Sequence, residues 1–200
     1  SMLRSLLEGL SYVSGRKDLL GIVAMGMVMG IFGSSFETLL PVFSDKVITG
    51  GIETYSRLLL SEGVGGLAAT AGIAFLGLRV RPARFYVLAG VGFGIGLLSL
   101  SQTNLLLTAA PVIAIVGAFR VMFQTMNTTL MQTLASNEFR GRVMSLEMFS
   151  WGAAALGGLM MGTLGQYVGV QAAMSVGGIA IISGAVLISS LALRHLLVGN

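Results

Sequence analysis

The 200-residue sequence predicts an all-α membrane protein, a bundle of six transmembrane helices preceded by a short amphipathic helix at the membrane interface. Three observations carry that reading. Hydrophobic residues make up 54% and charged residues only 10%, with a mean hydropathy of +0.89, whereas soluble domains carry about 25% charged residues. Six unbroken apolar runs are long enough, at a rise of about 1.5 Å per residue, to cross a hydrocarbon core of about 30 Å. Glycine is abundant within those runs, at 29 residues in all, and small residues let helix backbones approach closely in lipid. A membrane barrel would instead alternate polarity over segments of about ten residues.

The elements follow in order. Residues 1–18 form the lead-in: Leu3, Leu6, Leu7 and Leu10 recur at helical spacing, with Arg4, Glu8 and Ser11 opposite. That pattern describes a helix lying on the membrane surface and leading into the bundle. Ser1 and Met2 read as a cloning remnant, so the chain is expected to begin inside a longer gene. The transmembrane domain, 19–193, contains spans at 19–43, 55–78, 82–100, 105–134, 143–165 and 171–193. The run at 19–43 is too long for a secretory leader and more spans follow it. The fourth span is long and polar in its second half, so its last turns are expected outside the hydrocarbon. Residues 194–200 form a tail.

Basic residues set the orientation. Arg4, Arg16, Lys17, Arg79, Arg81, Arg84, Arg140, Arg142 and Arg194 fall on one side, nine of the twelve Lys and Arg. Lys46 and Arg57 fall on the other, and Arg120 lies within a span. Positive loops face the cytoplasm, so both termini are expected there, as an even number of spans requires. The net charge of +4 is therefore a topology signal, and no nucleic-acid partner is expected.

The inventory for soluble catalysis is thin. There are no cysteines and one histidine, His195, beside Arg194 at the end of the last span. A paired-histidine zinc motif is impossible, no phosphate-binding glycine-lysine loop occurs, and the GFGIG run at 92–96 lies inside an apolar span. No catalytic residue, metal or cofactor is expected.

The informative residues are the ionisable ones inside spans, because lipid makes charge expensive there. Glu37 and Glu62 lie on adjacent antiparallel spans, about 9 and 10 Å below their shared outer end by helical rise. Two carboxylates at one depth are candidates for proton coupling; the structural alternative is that each reaches the interface or caps backbone. Arg120 sits mid-span and cannot escape by losing a proton. It requires an anionic partner, a substrate anion or water; the structural alternative is an ion pair, with Glu37 or Glu62, that fixes packing. Gln124, Asn127 and Thr128 follow on its face, so this stripe is expected to line a substrate cavity. Glu147, about 6 Å into the fifth span by rise, is expected to pair with Arg140 or Arg142 or to reach the interface. Ala154, Gly158 and Gly162, flanked by Gly157 and Gly165, form a small-residue stripe for close helix packing.

Several segments carry a family resemblance. NTTLMQTL at 127–134, followed by RGRVMS at 140–145, resembles the junction of the tenth and eleventh helices in the major facilitator superfamily. The resemblance is strongest to the enterobactin-exporter-like group, which includes macrolide efflux and lysophospholipid transporters. LLPVF at 39–43 resembles the end of that group's seventh helix, LEGLSY at 7–12 its lead-in, and GVGG at 63–66 the glycine cluster of its eighth. Arg140, Gly141 and Arg142 thus correspond to a cytoplasmic loop motif. The loop GLRVRPAR at 77–84 resembles the superfamily's glycine-and-arginine loop but lacks its acidic residue, and Glu62 and Glu147 replace apolar or aromatic residues.

The resemblance implies that the six spans are helices seven to twelve, the carboxy-terminal half of a major facilitator fold in a bacterial inner membrane. It implies alternating access against an amino-terminal six-helix half, or a second copy of the chain, with the lipid bilayer and a small-molecule substrate as the other partners. The function expected is proton-coupled efflux of a small amphipathic molecule, a siderophore or drug. Lysophospholipid transport and a non-transporting assembly or sensor module are the alternatives.

Overall fold

The computed structural model describes residues 2–76 and 81–193. The expectations for Ser1, Arg79, Arg194, His195, the 194–200 tail and part of the 77–84 loop lie outside the described residues. Helix α1 (Met2–Ser14) leads into α2 (Lys17–Val28), a π-helical turn (Met29–Gly33) and α3 (Ser35–Lys46), which together make the first span. The other spans are α4 (Gly51–Leu76), α5 (Pro82–Ser101), α6 (Leu106–Leu134), α7 (Arg140–Val168) and α8 (Val170–Leu191). Among the described residues, six helices are long and apolar enough to cross a membrane, with mean hydropathies of 1.2 to 2.0. Phe75 is 92% exposed, and Leu60, Leu67, Leu107 and Leu159 also point outward. A soluble monomer rarely shows that much contiguous apolar surface; here it faces lipid.

Two departures from the predicted elements matter. The first span is one helix in the sequence reading, yet its ladder slips at Met29–Gly33, where the Ser34 amide bonds the Met29 carbonyl at 3.0 Å. Gly30 and Gly33 are buried, and without side chains they let the backbone widen there; the Ser35 hydroxyl then takes up the Ile31 carbonyl. π-turns of this kind concentrate at functional sites. The fifth span starts at Arg140, three residues before its predicted start, because the loop basic residues are already helical.

Packing follows the glycines. Helix α4 lies along α6, α6 along α5, and α5 along α8, while α7 packs on the π-turn, α3 and α8. The GFGIG run is a two-faced packing surface: Gly92 and Gly96 take Phe119 and Val116 of α6, and Gly94 meets the Gly178 carbonyl and Ile182 of α8. Tyr86, Phe36, Phe43 and Phe93 are the largest fully buried side chains. Phe36 and Phe93 meet edge to face at 5.9 Å, and Tyr86 stacks on Phe123 at 4.6 Å.

Candidate functional site

Arg120 reaches across from α6 to two other spans. Its Nη1 lies 2.8 Å from Glu62 Oε1 on α4 and also contacts Glu37 Oε1 on α3. The Arg120, Glu37 and Glu62 side chains are 26%, 43% and 10% exposed, so the cluster grades from open at Glu37 to closed at Glu62. The guanidinium also sits 6.0 Å from the Phe36 ring centre. Two carboxylates on one guanidinium leave a surplus negative charge. The glutamates lie deeper than the sequence estimate. Helix α3 continues nine residues past Glu37 and α4 begins eleven before Glu62, placing them about 14 and 17 Å from those ends.

A second polar network lies further along α6. Asn127, 6% exposed, donates from Nδ2 to Glu147 Oε1 at 3.1 Å and to the Met131 sulfur at 3.5 Å. Its Oδ1 accepts from the buried Tyr86 hydroxyl at 3.1 Å, which also lies 3.2 Å from the Ile22 carbonyl. Thr128 donates to Glu147 Oε1 at 2.7 Å. The expected pairing of Glu147 with Arg140 or Arg142 is therefore corrected: helix rotation turns Glu147 inward to α6. Arg140 Nε donates to the Gln132 carbonyl at 3.1 Å, and Arg142 pairs with Glu8 at 3.2 Å.

The two networks border one cavity that is partly open to the outside. Arg120, Gln124, Asn127, Glu147 and Ser34 supply its polar wall; Gly26, the π-turn glycines, Met29, Phe93 and Phe123 supply the rest. Arg120, Gln124 and Asn127 thus stand together as the sequence stripe requires, whereas Thr128 supports Glu147 from the side. The sequence reading did not place Glu147, Tyr86 or the π-turn at this site. Only the lone carboxylate within a span hinted at the first; the other two depend on helix rotation and a backbone slip.

At the arginine-rich end, the lead-in helix docks on the α6–α7 loop. Glu8 meets Arg142, whose guanidinium lies 5.0 Å from the Phe139 ring centre. Tyr12 stacks flat on Phe139 at 4.3 Å and receives hydrogen bonds at 3.2 Å from the Ser136 amide and Arg16. The Ser136 bonds, foremost, hold the Tyr12 phenol below its ordinary 10.0. Arg16 also caps the Leu134 carbonyl at 2.9 Å, where a cation suits the negative end of α6. Gly141 is exposed with open space about it. Tyr12→Ala is expected to speed amide exchange across α1, with Tyr12→Phe recovering much of the protection, since an aromatic pair contributes about 1 kcal/mol. Hydrogen-exchange mass spectrometry reads both; unchanged exchange in Tyr12→Ala would mean α1 is not held there.

The small-residue stripe on α7 also needs one correction. Gly158 and Gly162 face Thr38, but the tightest approach is at Gly157, where any side chain would overlap the Ile31 carbonyl in the π-turn. Ala154 is half-buried. The widened backbone at Ile31 requires a glycine opposite it, so the flanking position carries the contact.

The sequence matches the transmembrane secretion effector family over residues 1–198. It is 29% identical over 150 residues to the staphyloferrin A transporter of Staphylococcus aureus (strain NCTC 8325 / PS 47), covering 75% of this chain and 38% of that protein. The matched segment thus spans well under half the length of that relative.

Proposed function

The chain belongs to the transmembrane secretion effector family of the major facilitator superfamily, and from that premise we propose that it forms one six-helix wall of a proton-coupled exporter of a small amphipathic molecule. The carrying observation is Arg120 held between Glu37 and Glu62. With both carboxylates ionised, the guanidinium ties α3, α4 and α6 together and one negative charge remains uncompensated. A proton on either glutamate removes that surplus and releases one arm of the tie. Helix α6 is then free to move relative to α3 or α4, which is what alternation between inward- and outward-open states needs. Intramembrane carboxylates in transporters serve such relays.

Arg120, Gln124 and Asn127 are the cargo-facing side chains in this reading, with Thr128 steadying the wall. The similarity to a staphyloferrin A transporter brings siderophores within the cargo range, beside drug-like amphiphiles. The placement of the arginines supports cytoplasmic termini in a bacterial inner membrane. The opposite wall is an amino-terminal six-helix half or a second copy of the chain.

The test uses full-length protein in inside-out proteoliposomes, with staphyloferrin A and rhodamine 6G as cargo probes. An acidic lumen is expected to raise accumulation of at least one probe several-fold. Glu37→Gln and Glu62→Gln are each expected to cut that gain about tenfold, the effect of losing an intramembrane proton carrier. Equal accumulation without the gradient, with both variants unimpaired, would overturn the coupling.

A further inference from the structure

The cavity carries a carboxylate that the Arg120 cluster does not use. Glu147 accepts hydrogen bonds from Asn127 and Thr128, both neutral. Among the described residues no lysine or arginine lies within ion-pair distance of it. A carboxylate inside a membrane span without a counter-charge is costly, and here it is built in with care. Asn127 is nearly closed off from solvent and is itself held by the fully buried Tyr86. That backing fixes Oε1 against α6, while the half-buried carboxylate borders the cavity.

The remaining wall defines what suits the space beside it. The buried rings of Phe93 and Phe123 back the space, Met29 adds a polarisable thioether, and Gly26, Gly30 and Gly33 leave backbone without side chains. Aromatic faces attract cations as well as apolar bodies. Among the described residues, the charged side chains that line the cavity are Arg120 and Glu147; Glu37 and Glu62 pair with Arg120 from outside that lining. The Arg120 charge is already engaged by two carboxylates, whereas Glu147 is held by neutral donors, so a cationic cargo supplies the counter-charge Glu147 lacks and an anionic cargo meets its repulsion. By helical rise, the Asn127–Thr128 step that holds Glu147 is about 11 Å along α6 from Arg120. The Glu147 end is therefore separate from the proton-handling cluster.

We propose that Glu147 recognises the positively charged nitrogen of an amphipathic organic cation whose apolar body lies against Phe93, Phe123 and Met29. This rests on the transport reading of the same cavity and names its cargo class.

The experiment measures equilibrium binding to purified full-length protein by fluorescence anisotropy, with rhodamine 6G as the cation and fluorescein as the anion. Wild-type protein is expected to prefer rhodamine 6G. Glu147→Gln keeps a carbonyl for the Asn127 and Thr128 donors and is expected to weaken rhodamine 6G binding about tenfold, as loss of a charged partner does, leaving fluorescein binding unchanged or tighter. Glu147→Asp keeps the charge and is expected to bind between the two. Wild-type preference for fluorescein, or Glu147→Gln binding rhodamine 6G as tightly as wild type, overturns the proposal. If Glu147→Gln does not fold, the wild-type ratio and the Glu147→Asp variant decide. Because binding is read without transport, a protein that accumulates neither staphyloferrin A nor rhodamine 6G yet shows the Glu147-dependent difference counts against the transport reading and supports this one.

Discussion

Arg120→Met is expected to abolish transport and to destabilise the bundle by about 3 kcal/mol, the cost of stripping the partner from a buried charge. The physical centre of that loss is Glu62. Its side chain is only 10% exposed, so without the guanidinium its carboxylate has little water to replace the lost cation. Glu37, 43% exposed, is partly solvated and contributes less. The expected signature is a lowered thermal midpoint of the purified full-length protein. Removing the whole charged set separates stability from function: a buried pair replaced on both sides is often neutral. Arg120→Met combined with Glu37→Gln and Glu62→Gln is therefore expected to melt close to wild type while remaining inactive. If Arg120→Met alone melts as wild type, the cluster is not a structural tie; if the triple variant transports with a pH gradient, the coupling lies elsewhere.

Gly65→Ala is expected to have the second large effect. A methyl at Gly65 would overlap the Ala114 carbonyl, and one at Gly117 would overlap the Glu62 carbonyl, so the two glycines seat α4 and α6 against each other from both sides. Backbone cannot yield as a flexible side chain does, so the helices must separate, at about 1–3 kcal/mol for overpacking. The same separation stretches the Arg120–Glu62 bond, now 2.8 Å, and transport should fall with stability. Gly63 is the control within the same GVGG segment. It is exposed and a methyl there meets nothing within 4 Å, so Gly63→Ala should melt at or slightly above wild type, given alanine's higher helix propensity. Equal melting of Gly65→Ala and Gly63→Ala would refute this account of the seam.

Much of the site was legible because intramembrane charge is rare. Arg120, Glu37 and Glu62 stood out as costs needing a reason, and the i+4 and i+7 spacing put Gln124 and Asn127 on the arginine's face. For Glu147, proximity along the chain favours Arg140, Arg142 or the interface, whereas rotation of α7 decides that it meets Asn127 and Thr128. Helical spacing puts Ala154, Gly158 and Gly162 of α7 on one stripe, but the π-turn opposite, invisible to a 3.6-residue period, moves the closest approach to Gly157.

The sequence by itself determined the six spans, the apolar lipid-facing exterior and the identity of the buried charges. Those follow from the one-dimensional cost of placing each residue in hydrocarbon, which depends only on what lies along the chain. The tertiary structure alone decided that Glu37 and Glu62 share one guanidinium, that α1 docks on the α6–α7 loop, and that Glu147 borders the cavity supported by Asn127 and Thr128. Partners of that kind depend on helix rotation and on how closely glycines let backbones approach. Both are set by packing between segments remote in sequence, which no local periodicity encodes.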